Sequence, residues 1–149
     1  MLKLEYRRGD LFANLKDDAI HLHACNSQNK WGAGVAVLFR KIFPKSYIEH
    51  CSRNNKVGDG YVLSEDTFKV GCLITSTYYG QKKDPPRKIL VNTYMALISL
   101  FNSIEGDIVI QSPKINSGKF DVPWELTEKI IERACAKVGR EVSWTVWEL

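Results

Sequence analysis

Two glycine-containing segments constrain the fold of this chain more than any other feature. They are residues 30–36 (KWGAGVA) and 113–120 (PKINSGKF). Each follows a predicted strand and precedes a predicted helix, where backbone N–H groups are free and the helix dipole is positive. One such loop would be weak evidence, because strand–glycine–helix turns are common in α/β proteins for structural reasons alone. Two of them on one sheet edge can hold the two phosphates of a diphosphate, so the pair predicts a phosphate-bearing ligand.

The bulk composition indicates one globular domain, residues 1–149. A chain of 149 residues with 44% hydrophobic and 26% charged residues can bury a core without metals or disulfides, and this composition argues against disorder. The net charge of +4 favours an anionic ligand, but the basic residues occur as scattered pairs such as Arg7-Arg8 and Lys82-Lys83. A nucleic-acid partner is therefore poorly supported, and we expect a monomer.

The four cysteines indicate free thiols rather than a metal site or a disulfide framework. Cys25, Cys51, Cys72 and Cys135 form no C-x-x-C pair, and none has a histidine at the usual metal-ligand spacing. Free thiols fit a reducing compartment. The amino terminus has no hydrophobic signal core, and no apolar run approaches bilayer length. We therefore expect an intracellular protein, cytoplasmic or nuclear, with no metal, no cofactor and no membrane partner.

The apolar periodicity predicts strands that alternate with helices, as in an α/β sandwich with a mixed sheet. Strands are expected at 2–6, 19–25, 61–63, 70–75, 107–110 and 142–147. Helices are expected at 35–43, near 46–53, at 89–104 and from 123 to 138, and residues 76–87 are expected to form an exposed loop.

Side-chain patterns assign faces within two of these elements. In the second strand, Ile20, Leu22 and Ala24 share one face, and His21, His23 and Cys25 share the other. Asp121 is placed to cap the last helix. The buried stripe of that helix is predicted to be Leu126, Ile130, Ala134 and Val138.

Taken together, several short motifs resemble the macro domain family over essentially the whole chain. They are Gly9-Asp10-Leu11, the strand at 19–25 with Asn26, the segment 31–36 (WGAGVA), and 115–120 (INSGKF) followed by Val122-Pro123-Trp124. The sequence is most similar to the single-domain branch that holds ADP-ribose 1″-phosphate phosphatases and terminal ADP-ribose protein glycohydrolases. The resemblance implies a three-layer α/β/α fold with a mixed six-stranded sheet and an ADP-ribose pocket at one sheet edge.

The resemblance also implies roles for individual residues. Asp10 would accept the adenine amine, and the Leu11 N–H would meet a ring nitrogen. The first loop would wrap the diphosphate and distal ribose, the second would cover the diphosphate from the other side, and Phe120 would lie against the distal ribose. The implied ligand contacts are Gly9, Asp10, Leu11, Ala24, Cys25, Asn26, Trp31, Gly32, Ala33, Gly34, Val35, Ala36, Thr75, Ser76, Ile115, Asn116, Ser117, Gly118, Lys119 and Phe120.

Each of these assignments has a plainer structural alternative. Asp10 can simply stabilise its own turn after Gly9, and the loop glycines can serve only strand–helix packing. Trp31 fits a surface position as well as a pocket wall. His23 and Asp121 are the candidate catalytic residues, yet a histidine in a core strand is more often structural, and Asp121 can be no more than a helix cap.

The residues and the resemblance leave three functions open. The first is hydrolysis at C1″ of the distal ribose, with removal of the 1″-phosphate preferred to cleavage of glutamate-linked ADP-ribose from protein. The lysine that glycohydrolases of this branch use after the strand at 70–75 is absent here, and Ser76-Thr77 is closer to the phosphatases. The second is a non-catalytic reader of ADP-ribosylated protein, and the third, poorly supported, is an RNA-binding module.

Overall fold

Six strands and four helices follow one another in the order that the periodicity predicts. The computed structural model describes all residues, Met1–Leu149. The elements are β1 (Leu2–Arg8), β2 (Ile20–Asn26), α1 (Val35–Ile42), α2 (Pro44–Ser52), β3 (Gly60–Glu65), β4 (Phe68–Ser76), α3 (Pro86–Asn102), β5 (Ile108–Ser112), α4 (Trp124–Val138) and β6 (Val142–Glu148). None of the helices has both the length and the apolar character needed to cross a membrane.

The strands form one mixed sheet in the order β1-β6-β5-β2-β4-β3, which confirms the expected six-stranded architecture. Only β3 is antiparallel to its neighbour, β4, and all other pairs are parallel. Because parallel strands point the same way, the carboxyl ends of five strands meet at one edge of the sheet. The loops that follow β2, β4 and β5 all leave from that edge, and ligands of open α/β sheets bind at such edges.

Helices cover both faces of the sheet and produce two separate apolar cores. On one face, Leu22 packs with Leu97 and Ile131 from α3 and α4. On the other, Cys25 packs with Phe39 of α1 and Phe43, which joins α1 to α2. The predicted two-faced strand is thus confirmed. It follows that the histidines of β2 point toward α1 and α2.

The start of α4 differs from the prediction. Asp121 does not cap the helix: its backbone is left-handed, with φ of 58°, and Pro123 occupies the N-cap position without any side-chain hydrogen bond. Leu126, expected in the buried stripe, is 41% exposed. The reason is that Trp124 inserts into the core and donates its indole N–H to the Tyr6 hydroxyl at 2.7 Å. Ala134 is fully buried as predicted, Ile130 and Val138 are half-buried against the same core, and Thr127 and Ile131 are fully buried positions that the prediction did not include.

The segment between β4 and α3 is more ordered than an exposed loop. It contains a 3₁₀ turn at Gly80–Lys82, and α3 begins at Pro86, three residues before the predicted start. Asp84 is buried, and its carboxylate accepts hydrogen bonds from the Thr77 N–H at 2.9 Å and the Thr77 hydroxyl at 3.1 Å. These bonds fold the segment back over the sheet edge.

Candidate functional site

A cavity of about 940 Å³ opens at the carboxyl edge of the sheet, between the loops that follow β2, β4 and β5. Its walls come from three stretches of the chain, two of which are the glycine segments. The lining residues are Ala24, Cys25, Asn26, Lys30, Trp31, Gly32, Ala33, Gly34, Val35, Ala36, Tyr79, Gly80, Gln81, Lys83, Pro113, Lys114, Ile115, Asn116, Gly118, Lys119 and Phe120.

The first wall is organised by the side chain of Asn26 and ends at the amino terminus of α1. The Asn26 Oδ1 accepts from the N–H groups of Gln28 (3.0 Å) and Lys30 (3.3 Å), and its Nδ2 donates to the Lys30 carbonyl at 2.9 Å. No side chain caps α1, and its first turn holds no acidic residue. The first N–H groups of the helix are therefore left for an anion in the cavity.

Gly34 allows the two glycine loops to approach each other. It is the N-cap of α1 with φ of 61° and ψ of −142°, a conformation that side chains disfavour. A Cβ at this position would lie 3.3 Å from the Cγ of Lys119 in the second loop. The stem of Lys119 thus packs directly over the first loop and closes one end of the cavity.

The second wall is held by the buried amide of Asn116. Its Oδ1 accepts from the Thr75 hydroxyl at 2.9 Å, and its Nδ2 donates to the Thr93 hydroxyl at 2.9 Å. The backbone is left-handed at this residue (φ 66°), a region that asparagine tolerates better than most residues. Asn116 therefore ties the loop after β5 to β4 and α3, and Thr75 acts as part of this support beneath the cavity.

The third wall comes from the loop after β4, and sequence reasoning missed it. Tyr79, Gly80, Gln81 and Lys83 line the cavity because the Asp84–Thr77 bonds bring the segment inward. The Ser76 hydroxyl supports the same turn: it donates to the Tyr78 carbonyl at 2.6 Å and accepts from the Asp84 N–H at 2.9 Å. No periodic pattern in the sequence marks this turn, because its path depends on the burial of the Asp84 carboxylate.

The charge around the cavity is positive. Four lysines contribute to the lining, and one of them, Lys114, is paired with Glu148 at 2.5 Å. Lys30, Lys83 and Lys119 form no ion pair. No aspartate, glutamate or histidine lines the cavity. The arrangement suits a ligand with several negative charges and offers electrostatic stabilisation rather than a ready-made acid–base pair.

The macro domain family model matches residues 22–131, which span the two glycine loops, Lys83 and the supporting Asn116. This chain belongs to the macro domain family. The resemblance inferred from the short motifs is therefore confirmed.

Relatives of this macro domain include curated enzymes and solved structures. An ADP-ribose 1″-phosphate phosphatase from Meyerozyma guilliermondii is 33% identical over 165 residues, covering 89% of this chain and 94% of the relative. The protein of the same name from Candida albicans is 33% identical over 147 residues, covering 87% of this chain and 92% of the relative. The Thermus aquaticus DarG macrodomain has the same fold, with a TM-score of 0.79 at 18% identity and 100% coverage of both chains.

The macro domain does not present His23 to the cavity, so its assignment as a catalytic residue is corrected here. The ring is fully buried and stacks on Phe39 with 4.0 Å between ring centroids and 4° between planes. Trp31 covers the ring edge-on at 4.4 Å. Trp31 is itself buried, which settles its position as an inner wall rather than a surface aromatic. A histidine enclosed in this way has no route to a ligand atom.

Several other predicted contact residues lie outside the lining. Gly9, Asp10 and Leu11 follow β1 at the same sheet edge, but Leu11 is buried in the core under α1 and the Asp10 carboxylate accepts from the Phe12 N–H at 3.0 Å. Asp121, Thr75, Ser76 and Ser117 also lie beside or beneath the lining rather than in it. Ser117 donates to the Val122 carbonyl at 2.8 Å and so shapes the second loop.

Proposed function

We propose that this macro domain binds ADP-ribose 1″-phosphate and hydrolyses it to ADP-ribose and inorganic phosphate. The observation that carries the proposal is the cavity between two glycine loops, with Lys30, Lys83 and Lys119 unpaired at its rim and no acidic side chain in its lining. These positive charges stabilise a bound ligand with three phosphate groups more than one with two. The names of the fungal relatives, which cover most of this chain, support the same substrate.

In the proposed complex, the diphosphate lies between the start of α1 and the second glycine loop. The free N–H groups near Val35 provide partial positive charge without a mobile cation, and Gly118 lets the opposite backbone approach. Phe120 packs against the distal ribose. The adenine extends along the sheet edge toward Asp10 and the Leu11 N–H. These two groups belong to the turn that follows β1.

The proposed reaction is attack of water at C1″ of the distal ribose. The C1″–oxygen bond breaks, and the phosphate leaves with the electron pair, stabilised by the lysine ammonium groups and backbone N–H groups. The proton from water passes to the Asp121 carboxylate and then to solvent. Asp121 is exposed and directly follows Phe120, which lines the cavity. Along the chain it is therefore the carboxylate nearest to the proposed ribose site.

The test measures phosphate release from ADP-ribose 1″-phosphate. Asp121→Asn is expected to lower turnover on the order of a hundredfold with little change in ADP-ribose affinity. Asp107→Asn is the matched control, because Asp107 is also exposed but precedes β5 at the opposite sheet edge. In heavy-oxygen water the released phosphate should carry no label, since C1″–oxygen cleavage leaves the phosphate oxygens unchanged. Release of no phosphate by the wild type would reject the activity.

A second candidate function rests on the position of Lys83. This lysine lines the cavity and has no ion-pair partner, so an amine is available near the loop after β4 even though none follows the strand directly. An amine there can attack C1″ of ADP-ribose linked to a glutamate side chain, releasing the carboxylate. Borohydride treatment during turnover of glutamate-modified protein would trap the adduct in the wild type but not in Lys83→Ala. Binding of the modified protein without release of ADP-ribose would indicate a reader.

A further inference from the structure

Three potential metal-binding side chains converge in the core behind the cavity wall, and a fourth, that of His50, packs against Trp31 beside them. His23 and Cys25 come from β2, Cys72 from β4 and His50 from α2, and all four are buried. The donor atoms of His23, Cys25 and Cys72 all lie within 4.8 Å of one another. The Cys25 Sγ lies 3.6 Å from the His23 Nε2. Sulfur and nitrogen atoms that share one tetrahedral zinc ion are themselves roughly 3.5 Å apart, given bond lengths near 2.0–2.3 Å.

An unpartnered nitrogen of His50 is a second observation that points to a bound ion. Its Nε2 is buried and has no hydrogen-bond partner. Tyr61 donates its hydroxyl hydrogen to the Asn55 Oδ1 at 2.8 Å, so the Tyr61 oxygen accepts from the His50 Nδ1–H at 2.6 Å. The imidazole is therefore the tautomer with a free lone pair on Nε2. A histidine whose second nitrogen is fixed by an outer hydrogen bond is the usual arrangement of a metal ligand.

The asparagine in this network fixes the orientation of Tyr61. The Asn55 Nδ2 donates to the Asn29 Oδ1 at 2.6 Å and to the His50 carbonyl at 2.9 Å, which leaves its Oδ1 as the acceptor for Tyr61. The Tyr61 oxygen is thereby held as the acceptor for the His50 Nδ1–H.

We propose that His23, Cys25, His50 and Cys72 form a closed tetrahedral Zn²⁺ site. Two thiolates and two imidazoles are a common ligand set for structural zinc and suit it better than harder cations. Two thiolates also cancel the charge of the ion, which a buried site requires, and the neighbouring side chains of Phe39 and Ile74 are apolar. Cys25 and Trp31 also belong to the cavity wall, so a bound ion would hold that wall in place.

The first experiment asks whether the wild-type protein holds the metal. Protein purified under reducing conditions without chelator should contain one zinc per chain by elemental analysis and native mass spectrometry. Cobalt(II) added after chelation should produce thiolate charge-transfer absorption and the visible bands of tetrahedral coordination. Zinc should also raise the melting temperature of the chelated protein, because it binds the folded state.

Variants locate the ion. Cys72→Ser should lose the bound zinc, whereas Cys135→Ser should retain it, because Cys135 is an equally free, buried thiol on α4 away from the cluster. Tyr61→Phe leaves all four ligands intact but removes the acceptor for His50. It should lower zinc affinity about 10- to 100-fold, a cost typical of losing an outer hydrogen bond to a ligand.

Two results would overturn the site. One is wild-type protein that holds no zinc as purified and shows no thiolate charge-transfer band with cobalt(II), or binds metal only without that band, as surface histidines or carboxylates would. The other is unchanged zinc affinity in Tyr61→Phe. If Cys72→Ser fails to fold, the wild-type cobalt spectrum and the Tyr61→Phe affinity still decide.

Discussion

At the level of single residues, Gly34 meets two structural requirements of the proposed site. Its φ of 61° begins α1 at the correct angle, and its missing side chain leaves space for the stem of Lys119. The same position lies at the positive end of the helix, where an anion is favoured. A side chain there would therefore disturb the backbone, the contact between the loops and the charge.

Replacing Gly34 by glutamate should abolish ADP-ribose binding. The new carboxylate would occupy the proposed phosphate site and repel the ligand. Calorimetry measures the loss. Gly106→Glu is the control, since Gly106 also has a positive φ (80°) and an open surround but lies in the loop before β5, at the other sheet edge. A Gly34→Glu protein that melts like this control yet binds ADP-ribose normally would show that the first loop does not hold the diphosphate.

At the scale of elements, the cavity walls depend on buried polar groups in neighbouring elements. Asn116 fastens the second glycine loop to β4 and α3, Asp84 folds the loop after β4, and Asn26 shapes the loop before α1. Each of these side chains bonds to protein rather than pointing freely into the cavity. Their role is to position backbone and lysine groups, so their loss should affect stability and binding together.

Asn116→Ala should lower both the free energy of unfolding and the affinity for ADP-ribose. The change leaves the buried Thr75 hydroxyl without its acceptor, which costs about 1–3 kcal/mol. Denaturant titration measures the stability and calorimetry the affinity. Asn116→Gly separates the two causes, because glycine accepts the left-handed backbone but also lacks the amide. Wild-type stability and affinity in Asn116→Gly would contradict the bracing role of the amide.

Some features of the elements follow from neighbouring residues along the chain, and others depend on contacts between distant residues. The alternation in β2 and the helical period in α3 depend on neighbours along the chain, so these elements could be predicted from the sequence. The exposure of Leu126 in α4 could not, because the start of that helix is positioned by the bond between Trp124 and Tyr6 of β1. The fold of the loop after β4 was missed for a similar reason: a buried aspartate, not a propensity, brings Lys83 to the cavity.

At the scale of the whole molecule, His21 links stability to pH. Its Nδ1–H donates to the Lys69 carbonyl at 2.9 Å, and its Nε2 accepts from the Lys16 N–H at 3.2 Å. The rings of Phe43 and Phe68 enclose it. Burial lowers the pKa of His21 below its usual 6.5, although the bond to Lys69 acts in the opposite direction. Protonation in the folded state would place a new N–H against the Lys16 N–H.

We expect the protein to lose stability as the pH falls below 6.5. In that range the unfolded chain takes up a proton at His21 that the folded chain does not, so acid favours unfolding; above 6.5 the contribution is fully present. Urea titrations at a series of pH values measure the slope. His21→Gln can make similar hydrogen bonds without titrating and should have a smaller acid slope. An equal slope in both proteins would mean that other groups dominate acid unfolding.

The order of the elements, the two faces of β2, the paired glycine loops and, through them, the family could all be inferred from sequence patterns. These properties depend on short stretches of chain, in which the spacing of apolar residues and glycines indicates the local conformation. Which residues meet in space depended on the packing of the complete fold. It buried His23 behind Trp31, brought Lys83 to the cavity and gathered His23, Cys25 and Cys72 from two neighbouring strands. Those outcomes depend on which strands are neighbours and how each helix is rotated, and such contacts between distant residues leave no periodic trace in the sequence.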